Sequence, residues 1–301
     1  MDNQQVIEKM IRDMQLRGLS KGTQKTYSEN VAHFQKYFKK PATELWEQEI
    51  REYLYYLRNV KKLSTSAVNT CNCALRFLYE VTLEQNLNYK RVPRLKEPYT
   101  LPNIFTKDEI QAILNATDNL KHKCILMTIY GAGLRLSEIT TIKISDIDSK
   151  NMRIFIEQGK GKKDRYALLS QLNLDVLREY WKQYKPKYWL FEGVQKGSPI
   201  SRRGVQDIFK KCLKKSGIQT EATVHTLRHS FATHLLENGT SIFYIRELLG
   251  HATIRTTTRY LHVAATDVLK TISPLDTLQK EGKPKKRRGR KPKIKEVPHF
   301  A

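Results

Sequence analysis

The chain has 301 residues, with 54 Lys and Arg against 30 Asp and Glu and a formal net charge of +24. A hydrophobic content of 40% is enough to fill buried cores, which excludes a mainly disordered chain, and the length suits two domains. No stretch reaches the ~18 consecutive apolar residues of a membrane span, and the charged N-terminus has no signal-like apolar run; a cytoplasmic protein that grips a polyanion is expected.

Residues 1–90 read as four helices. Val6, Ile7, Met10, Ile11 and Met14 recur at helical spacing in the first. Ser20 is placed to cap the second, whose stripe of Tyr27, Val31, Phe34 and Phe38 runs to Pro41. The third, around 47–59, carries Ile50, Tyr53, Leu54 and Leu57, and the fourth starts near Ser64 with Val68, Cys71, Leu75, Leu78 and Tyr79. Aromatic residues at this spacing read as core, whereas Lys21, Lys25, Lys36, Lys61, Lys62 and Arg76 are expected to face the partner. Residues 91–103 hold three prolines, too many for a helix or a central strand, and read as an extended basic linker.

The second domain, 104–275, opens with Thr106 and Glu109 spaced as a capping box. An apolar helix over 124–130 follows and ends at the Gly131–Gly133 run, and another helix begins near Arg135. Two strand-like stretches, 152–157 and 165–169, flank the basic turn Gly159–Asp164. Helices are predicted around 172–184, 202–216, 225–238, 241–249 and 254–262. The fold class is therefore mainly α with a small antiparallel β-sheet. Cys71, Cys73, Cys124 and Cys212 lack metal-ligand or redox spacing and read as reduced thiols.

The tail, 276–301, carries nine Lys or Arg between Lys283 and Lys295 and reads as disordered when free. Arg287, Arg288 and Arg290 surround Gly289; an extended Arg-Gly-Arg segment suits a narrow minor groove, as in an AT-hook core, and also suits a general electrostatic contact. In a eukaryotic source it would also suit a nuclear localisation signal.

The chemistry lies in the run H225-T-L-R228-H-S-F-A-T-H-L-L, with G250-H251 and R259-Y260 after it. In-line attack on a phosphodiester needs a nucleophile, charge clamps for the non-bridging oxygens and an acid for the leaving oxygen. Arg228 and Arg135 suit the clamps, because a guanidinium makes two charge-assisted bonds to phosphate and stays charged. Glu138 stands one turn from Arg135 and can orient it. His225 can handle the proton of a tyrosine nucleophile, Tyr260, and His251 can hydrogen-bond the phosphate. Lys160 at the turn tip suits the leaving-group acid, with Lys162 and Lys163 as rivals. His225 and His229 have the spacing of a zinc helix, but Thr226 stands where its Glu belongs, so His229 reads as structural. The Gly-Lys run is not a phosphate-binding loop, and no carboxylate cluster suggests a metal; a reaction without metal, ATP or other cofactor is expected.

These motifs together resemble the tyrosine recombinases, the phage integrase family, and the His225 run is most similar to the Xer type. The likeness spans about 1–275, because the four-helix part resembles that family's core-binding domain. It implies a two-domain DNA clamp, catalytic residues Arg135, Lys160, His225, Arg228 and His251, and Tyr260 as nucleophile. It further implies a 3′-phosphotyrosyl intermediate, and paired recombination sites on double-stranded DNA joined through a Holliday junction. The protein would act there as a homo-tetramer, or as a hetero-tetramer with a related recombinase, in a nucleoid-associated setting. Residues 263–272 look like a helix that docks into a neighbouring protomer, or else packs on its own. A type IB topoisomerase or a non-catalytic DNA-binding protein would share parts of this pattern.

Overall fold

The computed structural model of the chain describes residues 2–98, 100–157, 164–195 and 197–264. It divides into two compact units, Met1–Thr100 and Leu101–Ala301. Each builds its own core.

The first unit contains helices α1 (Asn3–Leu16), α2 (Lys21–Phe38), α3 (Glu47–Tyr55) and α4 (Thr65–Phe77). Asp2, Ser20 and Ser64 cap three of the N-termini by accepting from backbone N–H groups that lack a helical partner. α3 and α4 each continue as a π-helical turn, Tyr56–Val60 and Leu78–Thr82. The expected stripes meet in one core: Val6, Met10 and Met14 face Val31 and Phe34, with Ile50, Tyr53, Val68, Cys71 and Leu75 completing it. Tyr79 is fully buried and satisfies its hydroxyl by donating to the Ala42 carbonyl, 2.9 Å away.

Residues 92–97 of the proline-rich stretch lie along one face of α4. Asn69, Asn72 and Arg76, spaced three and four residues apart, each donate to it: Asn69 to the Leu95 carbonyl, Asn72 to the Pro93 carbonyl and Arg76 to the Val92 carbonyl. The Leu95 N–H returns a bond to Asn69 Oδ1 at 2.9 Å. Val92 is buried in the helical core and Leu95 packs against it. Arg76 therefore differs from the expectation of a free basic residue: it holds the backbone of this stretch and stacks on Tyr89.

The second unit is helical around a three-stranded antiparallel sheet. Helices α5 (Lys107–Asn115), α6 (Leu120–Ala132) and α7 (Leu136–Ile139) come first. Strands β1 (Ile147–Asp148), β2 (Arg153–Ile156) and β3 (Arg165–Leu168) pair in that order. β1 has two residues, too short for any alternation to announce it. Then follow α8 (Gln171–Tyr184), α9 (Arg202–Lys215), α10 (Val224–Glu237), α11 (Ile242–Leu249) and α12 (Ile254–Thr258), the last continued by a 3-10 turn, Arg259–His262. Thr106 and Glu109 form the expected capping box on α5. α10 is buried on most of its circumference, which makes it the central helix of the unit. No helix among the described residues is long and apolar enough to cross a membrane.

Replacing Asn69 by Ala removes bonds to both the N–H and the carbonyl of Leu95, a loss of roughly 2 kcal/mol for a buried pair. Thermal unfolding should show that loss, and limited trypsin digestion should cut at Arg91 to Lys96 faster than in the wild type.

Candidate active site

α6 ends at Gly133, which adopts a left-handed conformation (φ +61°); a Cβ there would lie 2.4 Å from the Phe231 ring. The chain turns through buried Leu134 and presents Arg135 at the start of α7. Glu138, on the first turn of α7, reaches back to accept from the Arg135 N–H at 2.8 Å and from Arg135 Nη1 at 2.7 Å. The same carboxylate receives Arg165 from β3 as a two-pronged fork, with both Nη–O distances 2.8 Å. Arg228 Nη1 lies 3.8 Å from Oε2 of the same carboxylate. Glu138 is 5% exposed, and Arg228, Arg165 and Arg135 are 4%, 9% and 15% exposed. One buried carboxylate is thus shared by three buried guanidiniums.

The Gly133 carbonyl accepts from Arg228 Nη1 at 2.5 Å, and the C-terminal end of α11 supplies further acceptors. Arg165 Nε donates to the Leu248 carbonyl at 3.0 Å, Arg228 Nη2 to the Leu249 carbonyl at 2.6 Å, and Arg135 Nη2 to the Gly250 carbonyl at 2.8 Å. These carbonyls have no partner inside the helix and form the negative end of its dipole, which suits cations. Gly250 caps α11 in the left-handed region (φ +60°), and a Cβ there would sit 2.8 Å from Arg165 Cδ. The glycine is what lets Arg165 pass.

His251 follows directly. Its Nε2 lies 3.3 Å from Arg228 Nη2 and its Nδ1 2.9 Å from the Thr257 hydroxyl. An arginine can only donate, so Nε2 accepts and Nδ1 carries the proton toward Thr257. The imidazole is stacked on Tyr260 with an interplanar angle of 16°. Tyr260 is 1% exposed, packed among Phe231, Ala232, Leu236, Ile245 and Leu249, and its hydroxyl is 3.0 Å from His229 Nδ1. His225 lies one turn before Arg228 on the exposed face of α10.

The charges set the protonation states. Burial alone would raise the Glu138 pKa, but the Arg165 fork and the Arg135 N–H and guanidinium bring it down to about 2. Burial and then Arg228 and Arg135 press His251 down to about 3. His229 falls to about 4 through burial, then His225, Arg259 and Arg228. His225 is lowered by partial desolvation and then by Arg228 and Arg135; its outer edge still meets solvent. Burial raises the Tyr260 phenol, against the opposing pull of Arg228, Arg259 and Arg135. All three imidazoles are therefore neutral at pH 7 and the phenol keeps its proton.

The structure thus brings Arg135, Arg228, His251 and Tyr260 together, with His225 at the rim. Lys160, its rivals Lys162 and Lys163, the tail residues Arg287, Arg288 and Arg290, and residues 265–272 lie outside the described residues. Arg165 carried no signal in the sequence, since a lone arginine after a turn has no periodicity to mark it. His229 is more than the scaffold residue its spacing suggests, because it touches the Tyr260 hydroxyl. Among the described residues, no three His, Cys, Asp or Glu side chains converge as a metal site would require. A net positive pocket with a buried phenol beside it is equipped to hold a phosphodiester-sized anion and attack it.

The comparisons agree in kind. The phage integrase family profile matches residues 103–267, and the phage integrase N-terminal SAM-like domain matches 6–89. A Sinorhizobium fredii protein named as an integrase/recombinase, y4qK, is 43% identical over 272 residues, covering 90% of this chain and 88% of its own length. Tyrosine recombinase XerA of Pyrococcus horikoshii is 33% identical, over 87% of this chain and 90% of its own. Among solved structures, a lambda integrase tetramer bound to a Holliday junction superposes with a TM-score of 0.70 at 18% identity. That match covers 85% of this chain and 76% of the other, a likeness of fold.

Replacing Glu138 by Gln leaves buried guanidiniums without their carboxylate and should cost roughly 3–5 kcal/mol at pH 7. Because the folded pKa is about 2 against an ordinary 4.5, the carboxylate's contribution is complete above about pH 4.5 and lost as pH falls through about 2. Urea unfolding across that range should show the gap between wild type and Glu138→Gln narrowing toward low pH.

Proposed function

The chain belongs to the phage integrase family and is a tyrosine recombinase, cutting and rejoining DNA strands at specific sites, and from that premise we propose how its own residues divide the chemistry. The observation that carries the assignment is the convergence of Arg135, Arg228 and His251 at the C-terminal end of α11, with the Tyr260 ring stacked against His251.

Arg135 and Arg228 are the clamps for the non-bridging oxygens of the scissile phosphate. Each guanidinium has five N–H groups, and the bonds to carbonyls and to Glu138 orient it while leaving others for phosphate. Three guanidiniums against one carboxylate leave a local excess of about two positive charges. A phosphodiester brings one negative charge and its in-line transition state builds a second, so the excess suits the transition state better than the ground state. His251, neutral, donates a hydrogen bond to a phosphate oxygen in the tautomer that carries its proton on Nε2, the Thr257 hydroxyl then donating to Nδ1. His225, at the rim, is assigned to the phosphate. Tyr260 attacks phosphorus, forming the 3′-phosphotyrosyl bond and releasing the 5′ oxygen. Lys160 is assigned the proton for that oxygen, with Lys162 and Lys163 as rivals.

The net charge of +24 supports a long electrostatic contact with duplex DNA, to which Arg287, Arg288 and Arg290 add a tail contact. Paired recombination sites would be held by a homo-tetramer, or a hetero-tetramer with a related recombinase, as the lambda integrase assembly on its Holliday junction suggests by analogy. The setting is the cytoplasm, on the nucleoid.

A nicked suicide substrate, which loses its 5′ fragment after cleavage, should trap a covalent protein–DNA adduct with the wild type. Tyr260→Phe should give no adduct while still shifting the same DNA in a gel; an adduct from this variant overturns the nucleophile assignment. Lys160→Ala should slow cleavage by roughly 10²-fold or more, as loss of a general acid does. A 5′-bridging phosphorothiolate, whose sulfur leaves without a proton, should restore the rate. Lack of restoration would move the acid to Lys162 or Lys163.

A further inference from the structure

Tyr260 must lose a proton as it attacks phosphorus, and the structure puts a specific acceptor on its oxygen. His229 Nδ1 is 3.0 Å from the Tyr260 hydroxyl, with the two ring centroids 5.8 Å apart at 49°. Among the described hydrogen bonds none joins His225 to Tyr260, and His225 faces outward. Tyr260 packs in one apolar cluster with Phe231, Leu236, Ile245 and Leu249, whose side chains offer no acceptor. A buried O–H needs an acceptor, so the phenol donates and His229 Nδ1 accepts through its lone pair.

Taking Tyr260 as the nucleophile, the reading on which this rests, we propose that His229 is a catalytic residue that accepts the Tyr260 phenolic proton in strand cleavage and returns it in rejoining. In cleavage the Oη–H bond breaks and its proton passes to Nδ1 as the Oη–P bond forms. The P–O5′ bond breaks with its electron pair going to O5′, which takes a proton from the leaving-group acid. Rejoining reverses each transfer: the 5′ hydroxyl attacks phosphorus, and the His229 imidazolium gives its proton back to the departing phenolate.

The surroundings make this transfer depend on bound DNA. The groups facing His229 are His225 and Arg228 on α10, Arg259 and Tyr260 on the 3-10 turn, and His251 after α11. Their cations and the burial of the ring hold it neutral and weakly basic in the free protein. A scissile phosphate clamped at Arg228 brings a negative charge that offsets the cation part of this depression, so His229 is more basic with substrate in place than without it.

Single-turnover cleavage of the suicide substrate tests the assignment. His229→Gln keeps a hydrogen-bonding amide but cannot carry the proton; adduct formation should slow by about 10²-fold or more, with DNA binding and unfolding temperature unchanged. A 5′-bridging phosphorothiolate should not restore it, because the defect lies on the nucleophile. His229→Gly should recover part of its rate with added imidazole, in proportion to imidazole concentration, which keeps the test valid if His229→Gln folds poorly. Three results would overturn the proposal. These are wild-type rates in His229→Gln, faster rates (the contact being a lock), or rescue by the phosphorothiolate. The parent reading fails separately: an adduct from Tyr260→Phe removes the nucleophile itself, whereas normal His229→Gln rates with inert Tyr260→Phe remove only the base.

Discussion

The carboxylate of Glu138 is the point on which the catalytic unit depends. It accepts from Arg135 on its own turn and from Arg165 on β3, and it lies within ion-pair reach of Arg228 on α10. Removing any of these charges from water would be costly alone, and the cost is met only because each is paired and hydrogen-bonded at once. The three guanidiniums then reach onward to the Leu248, Leu249 and Gly250 carbonyls, so the end of α11 is fixed to the same centre. His251 inherits its place from that attachment. Three segments distant in sequence, around residues 135, 165 and 228, are tied to one another and to α11 by a single acidic side chain.

That arrangement also leaves positive charge in surplus, and the surplus governs the neighbours. Added to burial, the larger cause, it keeps the imidazoles of His251 and His229 neutral, and it acts against the burial that raises the Tyr260 phenol. The site at rest is a set of hydrogen-bonding groups waiting for negative charge. On the proposed reading a phosphodiester backbone supplies it, which would link the electrostatics of the pocket to the strongly basic composition of the whole chain.

The first unit serves by different means. Its core is apolar helix packing, and its polar residues are spent on backbone: Asn69, Asn72 and Arg76 hold the proline-rich stretch along α4. Proline removes N–H donors from that stretch, so its carbonyls and its remaining N–H groups must find partners in side chains. A segment that looks unstructured by composition is thereby given a definite path.

Much of this was legible in the sequence because it is local. Caps at Ser20, Ser64 and Thr106 have partners within three residues, the core stripes follow a 3.6-residue period, and Glu138 orients Arg135 from one turn away. The residue types at Arg135, Arg228, His251 and Tyr260, taken with their spacing, were enough to suggest phosphodiester chemistry. What tertiary structure decided is which distant groups share a charge or a proton. Arg165 meets Glu138 across 27 residues, His229 meets Tyr260 across 31, and Arg76 meets the Val92 carbonyl across 16. No periodicity encodes those meetings, because they depend on how strands and helices close over loops. Sequence determined which side chains could do the chemistry; the packing of α6, α7, α10 and α11 around one buried carboxylate decided which of them touch, because a buried charge is tolerated only where the fold brings its partners.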